Sequence, residues 1–362
     1  MARGYNAQAD VLPRLADGTD PNALWDEFIA AVKLQNDQRS ALVDLFTFRT
    51  SRKGDSVLQS PSGISEFEEA SEYGVPQGLR LAADVLPMGY TFKWFDLAKR
   101  MTWRYLVDAP ASQVEALHSA ALAADNLLTF KGVMRRLFNP VNETNEDGTT
   151  VYGLWNGTDG QTPPEYNGNT FFETHNHYLT TGTATLDPAD VEILIDTVLH
   201  HGYGDDDGSQ IVVLAHPIQA DVIAGYRVGV NGAKFDFIPS TDAPAYLTAE
   251  TLVGNRPAGT FQGMRVAGSY GRALIVENSL MPVAYLASLA SGGSNSDRNP
   301  IGFREHSQPS YQGLKLIPGS TPNYPLIDSY YTHGFGVGVR HRGAAAVMQV
   351  VASSTYIAPT AF

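Results

Sequence analysis

The chain has no cysteine, which removes disulfides, thiolate metal sites and cysteine nucleophiles together. Charge is also sparse: 17% of the residues are Asp, Glu, Lys or Arg, against roughly 25% in an ordinary globular chain. A surface this short of charge is readily covered by other protein. No apolar run approaches the ~18 residues needed to cross a bilayer, and Met1-Ala2-Arg3-Gly4-Tyr5-Asn6 lacks the apolar centre of a signal peptide. A soluble chain made inside the cell, with no membrane partner, is the expectation. Basic excess is missing too. Net charge is −13, with 15 Lys/Arg against 17 Asp/Glu in residues 1–140 and 10 against 21 in 141–362, which argues against a sequence-reading nucleic-acid groove.

What is present is glycine and proline, 34 and 21 of them, spread along the chain without a low-complexity tract. They predict many turns between short strands. Asp20 followed by Pro21 is an N-cap and first-turn proline, with Leu24, Trp25, Phe28 and Val32 as the apolar stripe of a helix and Leu42, Leu45 and Phe46 resuming it. From Thr47 to Val107 the texture turns polar and glycine-broken. That stretch reads as a long two-stranded excursion, with strands near 67–82 and 85–107, and such isolated hairpins need packing from elsewhere. Asp108 then reads as the cap of one long helix to about Phe138, with Val114, Leu117, Ala121, Ala124 and Leu128 on its apolar face and Lys131, Arg135 and Arg136 near its C-terminal, negative end. Turn signals fill 141–186. Asp187-Pro188 caps a further helix carrying Val191, Leu194, Ile195, Val198 and Leu199, and Ile211 to Ala215 is a buried strand. A short helix from Pro217, strands at 234–238, 263–267, 272–277 and 283–287, and a loop at 291–300 follow. Tyr330 to Val351 closes the chain as two strands meeting near Arg342-Gly343.

The order of these parts, together with Phe67-Glu68-Glu69-Ala70, Pro164-Glu165-Tyr166-Asn167-Gly168-Asn169-Thr170-Phe171, His175-Asn176-His177-Tyr178-Leu179 and His333-Gly334-Phe335-Gly336-Val337-Gly338, resembles the major capsid proteins of tailed bacteriophages, in versions found in phages of actinobacteria. The resemblance covers nearly the whole chain from about Asp20. It implies an α+β chain of the Hong Kong 97-type fold, which encapsulin nanocompartments share. By it, 1–46 is an N-terminal arm and helix, 47–107 the extended loop, 108–186 the peripheral domain with its spine helix, 187–325 the axial domain, and 326–362 the return strands of the peripheral domain. It further implies self-assembly as pentamers and hexamers into an icosahedral shell, in the virion, after assembly in the bacterial host cytoplasm. Scaffolding and portal proteins, decoration proteins where a phage has them, and non-specific contact with packaged double-stranded DNA are the implied partners. With only about 45 residues before the extended loop, any scaffold is expected to be a separate protein.

The chemistry offers rivals. His175 and His177 stand two apart, with His200-His201 and Asp205-Asp206-Asp207 downstream, and imidazole with carboxylate can hold zinc or manganese. The spacing is generic and no His-Glu-x-x-His helix is present, so polar loop residues are the preferred reading and a metal-dependent hydrolase the remote alternative. Asp205-Asp206-Asp207-Gly208 lacks the ligand spacing of a calcium loop. Gly334, Gly336 and Gly338 would need a following helix to cradle a dinucleotide; as strand residues they permit close backbone approach. Lys53, Lys93 and Lys99 lie in or near the arm, where some relatives form lysine–asparagine crosslinks, but no pair can be assigned. The expectation is therefore a structural protein, not an enzyme, with no catalytic, cofactor-binding or metal residues assigned and an encapsulin shell as the nearest alternative.

Overall fold

The computed structural model describes residues 14–37, 41–58, 85–159, 175–204, 208–243, 255–318 and 328–362. The expected first strand of the arm at 67–82, the segment 164–171 and the acidic run 205–207 lie outside the described residues.

Helix α1 (Pro21–Asp37) starts where its cap predicts, the Asp20 Oδ1 accepting the Asn22 N–H at 2.8 Å, and it buries Leu24, Trp25, Phe28 and Val32. Helix α2 (Ala41–Phe46) runs straight into β1 (Thr47–Thr50). The ribbon of β2 (Gly54–Leu58) and β3 (Val85–Gly89) is antiparallel, and β4 (Lys93–Arg100) follows it. The single strand expected over 85–107 is thus two, and it ends early. Thr102 caps a short helix α3 (Trp103–Asp108), its side chain accepting from the Tyr105 N–H.

The long helix α4 spans Ala111–Phe138, 28 residues and about 42 Å. It does not start at Asp108, which is the last residue of α3. Its first N–H is met instead by Asp17, whose Oδ2 accepts from Ala111 at 2.7 Å across 94 residues of sequence. That hydrogen bond, with one from Thr19, holds the Asp17 carboxyl below its ordinary pKa. At the other end the buried Arg136 donates to the carbonyls of Asn139 and Val141 at 2.6 and 2.8 Å. The buried face of α4 carries Val114, His118, Ala121 and Asp125, whereas Leu117, expected on the apolar face, is exposed, as is Leu127.

A short hairpin of β5 (Glu143–Thr144) and β6 (Thr150–Val151) precedes β7 (Tyr178–Thr180) and helix α5 (Pro188–Leu199). The latter opens with a reciprocal capping box between Asp187 and Asp190. Then come β8 (Gln210–Ala215), α6 (Pro217–Ala224), β9 (Phe237–Pro239), β10 (Thr260–Phe261), β11 (Met264–Tyr270), β12 (Ala273–Glu277), β13 (Tyr285–Ser291), β14 (Ile301–Glu305), β15 (Leu314–Pro318), β16 (Asp328–Val339) and β17 (Ala345–Gln349).

These strands make two sheets that do not follow chain order. The first runs β1-β14-β16-β15, with β4 added along β16. The second runs β10-β11-β12-β8-β13-β17-β7, with β9 on β11. Consecutive strands β16 and β17 therefore belong to different sheets.

The middle strands of the second sheet, β8, β13 and β17, are buried on both faces, as the unbroken run Ile211–Ala215 predicts. Val212, Leu214, Ala287, Leu289, Ala345 and Val347 face a core shared with Phe130, Leu137 and Phe138 of α4 and with Phe303 and Phe335 of the first sheet. The alternating residues Ile211, Val213, Leu286, Ala346 and Met348 face a second core built on α5 and α6. Period-two alternation thus divides one sheet between two cores. A third cluster joins α1 to α3 and to the start of α4 through Trp25, Phe28, Leu106 and Val114.

Candidate functional site

Three places concentrate features that packing alone does not require: the root of the β2–β3 ribbon, the face shared by β4 and α4, and a cluster of histidines beside β7.

The ribbon leaves the body where Tyr90 is fully buried. Lys53 and Tyr90 are joined by a backbone bond of 3.0 Å, and the Asn145 amide donates to the same Lys53 carbonyl at 3.0 Å. Around this point charges interlock. Arg304 donates to both carboxylate oxygens of Glu146, at 3.0 and 2.5 Å, and to the Tyr90 carbonyl at 3.0 Å. The Arg304 bonds keep the Glu146 carboxyl below its usual pKa, and burial pushes the Tyr90 hydroxyl well up. Arg340 reaches Asp55 at 3.2 Å and Lys53 reaches Asp147 at 3.0 Å. A bidentate guanidinium–carboxylate pair is the strongest of these because its geometry is fixed by the fork.

Beyond the root the chain crosses β16 closely. Thr91 exchanges hydrogen bonds with Val337, and a Cβ on Gly336 would collide with the Thr91 carbonyl; one on Gly338 would sit 2.7 Å from the Gly89 carbonyl. The glycine run of β16 therefore serves close backbone approach, as a strand reading requires. Strand β4 then pairs with β16 from Lys93 to Arg100 and leaves Trp94 and Leu97 nearly half exposed. Between β4 and α4 runs an open groove with Phe95, Leu97, Ala121, Ala124, Leu128 and Tyr331 on its walls. Lys99 is not on offer to a neighbour. Its Nζ lies over the Phe28 ring and donates to the Val114 carbonyl at 3.3 Å, and burial lowers its pKa to about 8.

Of the sequence candidates for metal chemistry, the structure brings His175, His177 and His201 together, with one possible ligand atom from each within 4.8 Å of the others. His201 comes from the end of α5 and His177 leads into β7. The Nε2 atoms of His175 and His201 are 2.7 Å apart, and His177 Nδ1 lies 2.7 Å from the Ala345 carbonyl. Burial drives the pKa of His177 to about 3 and of His201 to about 2, and lowers that of His175. The rings are neutral at physiological pH. His200 stands outside this set, and the Asp205 cluster is outside the described residues.

None of the ion pairs at the ribbon root is visible in the sequence, since Glu146 and Arg304 are 158 residues apart; only the aromatic run at Tyr90, Phe92, Trp94 and Phe95 marks the place.

No family model matches the chain, and no curated protein matches it. Among solved structures, one from Mycobacterium phage Patience is 39% identical, covers 100% of this chain and 98% of its own, and superposes with a TM-score of 0.73. The chain belongs to the major capsid proteins of tailed bacteriophages. As a member it carries the Hong Kong 97-type fold, is a major capsid shell protein and is a component of the virion. Two remoter structures are the capsid of a native GTA particle (12% identical, covering 87% of this chain and 91% of that one, TM-score 0.46) and the holo-SrpI encapsulin complex of Synechococcus elongatus PCC 7942 (14%, 91% and 98%, TM-score 0.46). At those values neither discriminates a phage shell from an encapsulin.

Proposed function

We propose that this capsid protein assembles as pentamers and hexamers of an icosahedral shell around double-stranded DNA, and that residues 47–107 form an extended loop lying across a neighbouring subunit. The observation that carries this reading is the root of the ribbon. It is fixed by Arg304–Glu146 and Arg340–Asp55, and among the described residues the apolar contacts of the ribbon are one small cluster, Leu86, Met88 and Tyr152 with Val57 against them. A charge-fixed base under a ribbon with a small apolar cluster suits an element that finds further packing on another copy. Exposed Trp94, Leu97, Leu117 and Leu127 provide apolar surface for the same purpose, at roughly 25 cal/mol per Å² covered.

In this reading 108–186 is the peripheral domain with its spine helix α4, 187–325 the axial domain that closes the rings, and 326–362 the return. These domains share their layers rather than standing apart. Strands β14 and β15 lie in the first sheet, and β17 crosses into the second. Scaffolding and portal proteins, with decoration proteins where a phage has them, are the further partners in this reading, and assembly takes place in the host cytoplasm. The role is mechanical and calls for no catalytic group. With a net charge of −13, and 15 Lys/Arg against 17 Asp/Glu in residues 1–140 as the part that best tolerates a polyanion, DNA contact is weak and non-specific in this reading.

The test is deletion of Gly54–Gly89. The expected product keeps its circular dichroism and elutes as a small species, but gives no rings or shells by negative-stain imaging under conditions where the full chain assembles. Normal shells from the deletion variant would refute the interlocking role.

A further inference from the structure

We propose that His175, His177 and His201 form a transition-metal site that takes zinc, fastening the segment before β7 to the end of α5. Nothing in the shell reading asks for this cluster, and it stands independently of that reading.

The geometry of the rings carries the argument. Around one tetrahedral ion with metal–nitrogen bonds of about 2.0–2.1 Å, imidazole centres stand roughly 3.2 Å from the metal and about 5.2 Å from one another. The three ring-centre separations here are 4.9, 4.7 and 5.3 Å, for His175–His177, His175–His201 and His177–His201. Three rings from two separate stretches of chain, His175 with His177 and the remote His201, match that triangle.

Tautomers agree with it. The Ala345 carbonyl can only accept, so His177 Nδ1 carries the proton and Nε2 is the lone-pair nitrogen. A ring nitrogen held by a backbone carbonyl while the other ligates is the usual outer-shell arrangement of metal-bound histidine. Between His175 and His201, two Nε2 atoms at 2.7 Å share one proton, one ring donating and the other accepting. Zinc takes the place of that shared proton, which moves to the donor ring's Nδ1, and the two nitrogens open to about 3.3 Å, the edge of the coordination tetrahedron. His177 and His201 are fully buried while His175 is only partly so, which leaves one side for water as the fourth ligand.

Charge is compatible. Arg342 is the cation that bears on His177, and its guanidinium is paired with Asp159. An all-imidazole set selects zinc, copper, nickel or cobalt and discriminates against magnesium and calcium, which want oxygen.

The backbone shows what the site would hold. His177 is stitched between Trp155 and Val347 by bonds of 2.9 Å each, so an ion would tie the sheet edge at β7 and β17 to the end of α5.

The experiment uses the full chain, stripped with chelator, dialysed and titrated with cobalt(II) as a spectroscopic stand-in and then with zinc. Expected are about one metal per chain, the strong visible bands of four-coordinate cobalt, and a melting temperature raised by zinc and lowered again by chelator. His175→Ala, at the most exposed of the three positions, is expected to fold with unchanged circular dichroism, to bind at least about tenfold more weakly and to lose the tetrahedral bands. His200→Ala is expected to behave as the parent. No stoichiometric uptake by the folded parent would overturn the site, as would equal uptake with the same spectrum by His175→Ala.

Discussion

In the eight-stranded sheet, β8 and β17 bury apolar side chains on both faces, and Val212, Val213, Leu214, Ala345, Ala346 and Val347 are wholly shielded from water. At the root of the β2–β3 ribbon the fixing groups are Arg304, Glu146, Arg340, Asp55, Lys53 and Asp147. Apolar burial is strong and indifferent to direction, so the sheet holds the subunit together. Forked ion pairs contribute less net stability but set an angle, so the root aims the ribbon. The subunit thus separates being folded from being aimed.

The sharpest way to break this contrast is to weaken each region in turn. Leu214→Ala removes a fully buried side chain between β12 and β13 and is expected to cost about 2–5 kcal/mol, read as a shift in the denaturant midpoint at unchanged slope. Assembly should then fail in proportion to the unfolded fraction. Arg304→Met keeps the stem but deletes the fork, leaving Glu146 and the Tyr90 carbonyl without their donor. It is expected to cost about 1–3 kcal/mol while shell yield falls much further than stability does. Should Arg304→Met assemble normally, or destabilise more than Leu214→Ala, the division between folding and aiming would be wrong.

That division also explains what the sequence could tell. The Asp20 and Asp187 caps, the β8 run, the α6 start at Pro217 and the glycines of β16 are local patterns with local causes, and the structure has them where the pattern puts them. Asp108 had the right residue type for a cap, but the helix it was expected to open starts at Ala111 and takes its cap from Asp17. No local rule reveals a partner 94 residues away. The same holds for Arg304 with Glu146, and for the placing of β16 and β17 in different sheets. The histidines were legible as a group, but both His200 and His201 lie past the last residue of α5, where helix phase no longer predicts direction, so the sequence did not reveal that His201 is the one that joins His175 and His177.

The smallest effect concerns pH, and it tests whether α4 belongs with the apolar or the polar region. On its buried face His118 stacks on Phe28 at 4.2 Å, bonds the Tyr331 hydroxyl at 2.6 Å, and has its pKa lowered to about 4, chiefly by burial and then by the Lys99 charge. The folded-state value lies below the ordinary 6.5, so the unfolded chain binds the proton more readily and stability drains away as pH falls from about 6.5 toward 4. His118→Phe keeps the stacking and removes the proton site. At pH 7 it should be slightly less stable than the parent, having lost the Tyr331 bond. By pH 5 the difference should have shifted in its favour by about 1–2 kcal/mol, seen as a crossing of the two stability-versus-pH curves. Parallel curves would mean that His118 protonates in place, and that α4 meets β16 through a polar contact like the ribbon root rather than an apolar one like the sheet.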